Sequence, residues 1–325
     1  MTGLSDSFQR PINYLRISVT DRCNLRCIYC MPPGGITLLP HGEILSYEEI
    51  QAVAQAAAAL GVNKLRLTGG EPLVRLGLPH LVGMLSQIEG VDDIALTTNG
   101  VFLGRYADQL KEAGLKRVNV SLDTLKRDRF HQITGHDKLG DVLDGIETAK
   151  AVGLNPVKVN MVVMRGINDD EVLDFARLTL REGWHVRFIE PMPFGTGDSF
   201  SFVSTSEIQE RLRSLGPLEP YLHRHGNGPA KYFRFPGVEG TVGFITPLSE
   251  HFCFNCNRLR LTVDGKLRLC LLSDEEVDLK TYLRRGASVE ELKGLILQAV
   301  ARKPERHHLS EGVLPKGRAM CQVGG

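Results

Sequence analysis

The 325-residue chain carries almost no net charge: 39 Lys and Arg stand against 38 Asp and Glu, mixed along its length. That balance excludes a global pull toward nucleic acid or an acidic membrane surface, so any polyanion must be met by a local basic site. No run of 18 apolar residues is present, which excludes a membrane-spanning helix. The opening MTGLSDSFQR lacks the charged-then-apolar pattern of a secretory signal, and a cytoplasmic protein is expected. Low-complexity segments and long linkers are also missing. Disulfides are not needed, because a chain of this size buries roughly three quarters of its unfolded surface. In a reducing compartment the seven cysteines are expected to be ligands or buried apolar residues. Six of them fall in two tight sets, Cys23, Cys27, Cys30 and Cys253, Cys256, Cys270, and each set lacks a fourth thiol nearby. Cys321 stands alone.

What is present is a repeated unit. Short β-branched runs, LRISVT (15–20), KLRLTGG (64–70), DIALTTNG (93–100), RVNVSLD (117–123), PVKVNMVVM (156–164) and VRFIEPM (186–192), alternate with helical patterns over 48–61, 81–90, 103–114, 139–153, 170–183 and 206–216. Such alternation builds a parallel sheet with right-handed crossovers. Six units are too few for a closed eight-stranded barrel. The expectation is an α/β fold, a partial (β/α)6 barrel of the TIM type over 1–220. Residues 221–325 form a C-terminal region of antiparallel strands and a helix (288–303) that closes the open side. Within it, KYFRFPGVEGTVGFITPL and NRLRLTVDGKLRLCLL read as antiparallel strands, the second turning at Asp264-Gly265. RKPERHH (302–308) reads as a solvated helix end.

The strands are unusual in polarity. Parallel strands under helices are normally apolar on both faces, yet here Leu15, Ile17 and Val19 alternate with Arg16, Ser18 and Thr20. Leu65 and Leu67 alternate likewise with Arg66 and Thr68, Val118 and Val120 with Asn119, Ser121 and Asp123, and Val157 and Val159 with Lys158 and Asn160. The apolar faces suit helices; the polar faces would line a cavity. Unpaired cations inside a barrel cost several kcal/mol, so Arg16, Arg66 and Lys158 point to an anionic ligand. The alternative is internal pairing with Asp123 or Glu190.

CNLRCIYC (23–30) follows the first strand directly, at the carboxyl end of the sheet where (β/α) folds build active sites. Three thiolates round a four-iron cubane leave one iron open to a small molecule. A zinc site with a distant ligand, a redox pair on Cys27 and Cys30, and buried apolar cysteines are the alternatives. For Cys253, Cys256 and Cys270 the alternative is half a zinc ribbon.

CxxxCxxC after the first strand, with TGGEP (68–72) at the end of the second, resembles the radical S-adenosylmethionine (SAM) superfamily. There the open iron is chelated by the methionine part of SAM, and the glycine-rich motif holds its amino group; Glu71 taken alone reads equally as a surface acid. SVTDRCNLRCIYCMP, LRLTGGEPL, CNRLRLTVDGKLRLCL and the final Gly-Gly extend the likeness over essentially the whole chain, to the GTP 3',8-cyclase family of molybdenum cofactor biosynthesis. That resemblance implies two 4Fe-4S clusters, one on Cys23, Cys27 and Cys30 and one on Cys253, Cys256 and Cys270. It implies SAM contacts at Tyr29, Gly70, Ser121 and Met192, and GTP contacts at Arg16, Arg66, Thr97, Lys158, Arg258, Leu259 and Arg260. It places Gly324 and Gly325 in the active site, while Cys321 stands where that family more often has serine. The implied reaction is removal of the ribose 3'-hydrogen of GTP by a 5'-deoxyadenosyl radical, followed by attack of the sugar carbon on guanine carbon 8. The implied partners are GTP, an external electron donor, the next enzyme of molybdopterin synthesis as product acceptor and a second copy in a homodimer, with no nucleic acid and no membrane. A radical SAM peptide maturase with an auxiliary cluster, and a zinc-dependent scaffold, are the competing readings.

Overall fold

The computed structural model describes residues 3–32, 34–192, 200–201, 203–222, 228–311, 315 and 318–324. The first part alternates as expected: β1 (Tyr14–Ser18), α1 (Tyr47–Ala59), β2 (Lys64–Thr68), α2 (Leu78–Ser86), β3 (Asp93–Thr98), α3 (Leu103–Glu112), β4 (Arg117–Ser121), α4 (Arg127–Thr134), α5 (Leu139–Ala151), β5 (Val157–Val162), α6 (Val172–Arg181), β6 (His185–Ile189) and α7 (Thr205–Leu212). The helix α4 was not anticipated, because RDRFHQIT offers only Phe130 and Ile133 as apolar anchors. The remainder supplies β7 (Glu219–Pro220), β8 (Lys231–Arg234), β9 (Thr241–Ile245), β10 (Arg258–Leu261), β11 (Lys266–Arg268), β12 (Glu276–Asp278), α8 (Lys280–Arg284), α9 (Val289–Ala301) and α10 (Met320–Val323).

One sheet runs through all of it, in the order β12-β11-β10-β1-β2-β3-β4-β5-β6-β9-β8-β7. Its two edges are not paired with each other, so the barrel stays open. The hairpins expected in the C-terminal region are there, as the antiparallel pairs β8/β9 and β10/β11. Asp264-Gly265 makes the turn, with Gly265 at φ 78°. What local patterning did not reveal is that β9 lies parallel to β6 and β10 parallel to β1. The C-terminal region therefore lengthens the barrel wall on both sides. Its helix α9 packs beside α1 in the outer layer, and both helices start with a Ser/Glu capping box, Ser46 with Glu49 and Ser288 with Glu291.

Leu15, Ile17, Leu65, Leu67, Val118, Val120 and Val159 are buried in the helix-facing core, leaving the alternate positions for the lumen. The 302–308 stretch is solvated at Arg302, Glu305, Arg306 and His308 but not at Lys303. Lys303 is 3% exposed and donates to the carbonyl oxygens of Arg258 (3.0 Å) and Leu269, so a buried ammonium fastens the helix end to the sheet. Among the described residues no helix is long and apolar enough to cross a membrane.

The C-terminal tail is clamped as it enters the lumen. Arg318 donates from Nε to Glu276 Oε1 (2.7 Å) and from Nη2 to Glu276 Oε2 (2.8 Å) and Asp264 Oδ2 (2.9 Å). Glu276 also accepts from Arg268 Nη1 (2.7 Å), whose side chain is 1% exposed. Glu276→Ala removes that partner from a buried guanidinium, and a stability loss of about 3 kcal/mol is expected, together with faster proteolysis of the released tail. Urea unfolding checks this; a loss below about 1 kcal/mol would mean that Asp274 and the nearby carbonyls suffice.

Candidate active site

The first three strand ends are sewn together by backbone contacts that only glycine permits. Gly70 N donates to Thr20 O (2.8 Å) and Glu71 N to Arg22 O (2.8 Å). A Cβ on Gly69 would strike the Thr20 carbonyl, and one on Gly70 would strike the carbonyl of Arg22. Glu71 is no surface acid. It is fully buried and accepts from Leu73 N (2.9 Å), Thr98 Oγ1 (2.7 Å) and Asn99 N (2.6 Å). Burial pushes its carboxyl up to about 7 against the pull of the two amides and the hydroxyl. Asn99 passes the tie onward, donating to Asn24 Oδ1 (2.8 Å) and, at 3.9 Å, to Cys23 Sγ.

The loop carrying Cys23, Cys27 and Cys30 is pinned on its other side by Arg26 N to Thr134 O (2.8 Å) and Ile28 N to Ile133 O (3.0 Å), at the end of α4. All three thiols line a cavity of about 280 Å³ in the lumen. Tyr29 donates to Asp123 Oδ2 (2.8 Å), and Asp123 Oδ1 accepts from Val162 N (2.8 Å). Burial brings the Asp123 carboxyl up to about 6.

One row of cations and two rows of polar residues with a single cation each cross the inner wall of the sheet. Strand register aligns Arg260, Arg16 and Arg66 on β10, β1 and β2, Thr97, Asn119 and Lys158 on β3, β4 and β5, and Asn160 and Arg187 on β5 and β6. Internal pairing with Asp123 or Glu190 does not occur: Asp123 serves Tyr29 and Val162, and Glu190 accepts from Leu248 N and Ser249 N (both 3.1 Å) and from the Ser249 hydroxyl. Among the described residues neutral acceptors take their place. Arg66 donates to the Tyr14 hydroxyl, to Thr97 Oγ1 (3.2 Å) and weakly to Leu96 O (3.4 Å), and Lys158 donates to the Tyr232 hydroxyl (3.2 Å). Arg16 and Arg260 both donate to Gly324 O, at 3.0 and 2.7 Å. Burial and the surrounding guanidinium groups of Arg187, Arg117 and Arg66 lower Lys158 to about 6, while burial and Arg258 lower Arg260 to about 10. Tyr14 falls to about 8 although burial alone would raise it, because Arg66 and Arg16 favour its phenolate. This charge distribution favours an anion.

Cys253, Cys256 and Cys270 line an adjoining cavity of about 70 Å³, whose walls share Met192, Phe252, Arg258 and Arg260 with the first. Burial would raise the Cys256 thiol, but Arg258 and Lys303 outweigh it and bring it to about 7. The tail reaches both cavities: Val323 packs with Leu272 beside Met192 and Cys270, and Cys321 lines the larger cavity.

Residues 17–179 match the model of the radical SAM superfamily, and residues 184–309 match that of the molybdenum cofactor synthesis C family. The chain is 56% identical to the GTP 3',8-cyclase of Pelotomaculum thermopropionicum over 99% of its own length and 100% of the relative's. It is 54% identical to that of Moorella thermoacetica, with the same coverage. The chain belongs to the GTP 3',8-cyclase family. In fold it is also similar to Streptococcus suis SuiB, solved bound to S-adenosylmethionine, with a TM-score of 0.61 at 11% identity over 91% of this chain and 76% of that one.

Set against the positions that this family resemblance implied, the larger cavity gathers Cys23, Cys27, Cys30, Tyr29, Gly70, Ser121, Met192, Arg16, Arg66, Thr97, Arg258 and Arg260. Leu259 does not join them; at 1% exposure it lies in the core under the helices, as alternation along β10 requires. Lys158 is buried beside the lumen, against the Tyr232 ring. Gly324 is in contact with the first cation row, and Gly325 lies outside the described residues. Arg187 was missed, although the alternation in VRFIE carries the same signal as Arg16 in LRISV. It is buried, and its Nε and Nη2 have no partner among the described residues; the same holds for Asn119 Oδ1 and Asn160 Oδ1.

For a family whose chemistry rests on iron-sulfur clusters, the donor sets fit. Among the described residues no group of three His, Cys, Asp or Glu is arranged to hold a single metal ion. A cubane instead takes each thiolate on a different iron, and the two thiol trios lie along cavity walls. Glu71→Gln sets an amide NH2 against a backbone N–H in the tie beneath the first trio. A stability loss of about 1 to 3 kcal/mol is expected in urea unfolding of the metal-free protein. An unchanged midpoint would show that the carboxylate is not what joins the strand ends.

Proposed function

We propose that the chain is a GTP 3',8-cyclase, a radical SAM lyase acting at the first step of molybdenum cofactor biosynthesis. The observation that carries this reading is the row of buried Arg260, half-buried Arg16 and buried Arg66, whose hydrogen bonds among the described residues go to neutral oxygens, in a cavity walled by one thiol trio and adjoining the other. Cys23, Cys27 and Cys30 would hold one 4Fe-4S cluster and Cys253, Cys256 and Cys270 a second. Tyr29, Gly70, Ser121 and Met192 contact SAM. Arg16, Arg66, Thr97, Lys158, Arg258 and Arg260 contact GTP, and Leu259 does so through its backbone. The bound clusters and SAM supply one-electron chemistry able to remove a hydrogen atom from the ribose 3'-carbon.

The protein's own part is to bind, orient and exclude water. Guanidinium groups fixed on three adjacent strands hold a triphosphate in one register by charge-assisted hydrogen bonds. Apolar helix-facing sides of the same strands keep that register rigid, as a near-attack geometry demands. Asn119, Asn160 and Arg187 offer unfilled hydrogen-bonding groups for the rest of the nucleotide. Gly324 closes one side of the cavity without a side chain, and Gly324 and Gly325 belong to the active site in this reading. In this reading 1–220 is the radical SAM barrel and 221–325 the region of the second cluster. The protein works in the cytoplasm as a homodimer, takes electrons from an external donor and delivers product to the next enzyme of the pathway.

Anaerobic incubation with a one-electron reductant, SAM and GTP is expected to give 5'-deoxyadenosine and a cyclised guanine nucleotide. Cys27→Ser loses both products, since a hydroxyl is a poor substitute for thiolate on iron; normal 5'-deoxyadenosine from that variant overturns the first-cluster assignment. Zinc in place of iron and sulfide in the anaerobically purified protein overturns the whole reading.

Arg66→Ala and Arg260→Ala are each expected to weaken GTP binding by roughly 1.5 to 3 kcal/mol, the scale of a lost charge-assisted hydrogen bond, with iron content unchanged. Equilibrium dialysis measures it, and wild-type affinity in both returns these residues to a structural role.

A further inference from the structure

The second thiol trio is carried on separate stretches of chain, Cys253 and Cys256 before β10 and Cys270 after β11. Both stretches are tied to the turn that follows α9 by two buried cations, Lys303 and Arg10. From within that turn Lys303 donates to the carbonyl oxygens of Arg258 (3.0 Å) and Leu269, one close after Cys256 and the other next to Cys270. From the N-terminal loop Arg10 donates through Nη1 to Cys253 O (2.7 Å) and Glu305 O (2.6 Å), and through Nη2 to Pro304 O (2.7 Å). Residues 303–305 are thus a common anchor for the backbone on which all three thiols stand.

Arg10 is itself built into place. One carboxylate oxygen of buried Asp6 accepts from Arg10 Nε (2.6 Å), and the other from the amides of Phe8 (2.9 Å) and Arg10 (3.0 Å). The loop so closed holds Gln9 at φ 60°, and among the described residues no other non-glycine residue has a positive φ. Strain of that kind persists where its surroundings over-determine it. Ser7 Oγ adds a bond to Ala301 O (2.6 Å) at the end of α9. The loop precedes residue 17, where the radical SAM match begins, and Lys303 lies in the other matched region, so neither region alone contains the arrangement.

We propose that Arg10 and Lys303 are positioning residues for the second cluster: together they fix the segments of Cys253, Cys256 and Cys270 relative to one another, so that the trio is set before iron arrives. Groups behind the ligands that hold them in place decide much of a metal site's affinity. Lys303 has no carboxylate partner among the described residues, and a buried ammonium in that state is costly. Thiolates gathered on iron beside it bring the missing negative charge. The inference rests on the cluster assignment made above for Cys253, Cys256 and Cys270.

The test separates the two trios in the full-length chain. A parent with Cys23, Cys27 and Cys30 replaced by Ala can hold a cluster only on the second trio, and one with Cys253, Cys256 and Cys270 replaced by Ala only on the first. Each is reconstituted anaerobically with iron and sulfide, and the loss of iron-sulfur absorption is timed after an iron chelator is added. Arg10→Gln and Lys303→Met are each expected to speed loss from the second trio roughly tenfold and to leave loss from the first unchanged. An unchanged rate at the second trio in either variant overturns the inference. Equal acceleration at both trios also overturns it, because that marks a general loosening of the fold. Failure of the cluster reading looks different: the parent that keeps only the second trio, with Arg10 and Lys303 intact, takes up no iron and sulfide.

Discussion

Everything in this molecule is arranged round an electrostatic imbalance, the gathering of guanidinium and ammonium groups on the inner face of an open parallel sheet. A buried cation without an anion is costly, and the fold had carboxylates within reach to cancel it. Asp123 and Glu190 are both in the lumen, yet each spends its oxygens on backbone amides and hydroxyls. Among the described residues the cations donate to phenols, a threonine and backbone carbonyls. Such partners satisfy N–H geometry without neutralising charge, so the cavity keeps a positive potential that the near-neutral composition of the whole chain conceals.

The imbalance is tolerable because the opposite face of each strand is apolar and tightly covered. Register matters doubly in this arrangement. A slip of one residue in β1 would turn Arg16 into the helical layer and Ile17 into the lumen, a double penalty that holds the sheet in place. The loops above are stiffened in a different way, by Glu71 at the point where three strand ends meet. A buried acid whose protonation is favoured by burial and opposed by three donors is a high-stakes tie, suited to a loop whose thiols must not drift.

Legibility in the sequence followed the range of the interactions. Period-two alternation in LRISVT and KLRLTGG disclosed the lumen and two of its arginines, since it is written into consecutive residues. The same alternation marks Arg187, but reading it needed the knowledge that β6 still belongs to the inner wall. The parallel pairing of β10 with β1, across some two hundred intervening residues, has no local signature. Only after that pairing is known does Arg260 fall into line with Arg16 and Arg66. Lys303 illustrates the opposite error: a charged residue among charged neighbours looks solvated until a fold shows it capping carbonyls inside. The grouping of the thiol trios was legible because their spacing is local, whereas the arrival of Cys321 in the same cavity as the first trio is not, for the two are brought together only by the tail's long-range docking.

The carbonyl of Gly324 takes up N–H groups of two guanidiniums that face the cavity. Each guanidinium carries five donors, so Arg16 and Arg260 hold the tail and still turn N–H groups toward a guest. The tail's backbone is thereby part of the cavity's wall, and an anion seated on those two arginines lies against it. The same pair of charges that would receive a ligand also fixes one side of its container.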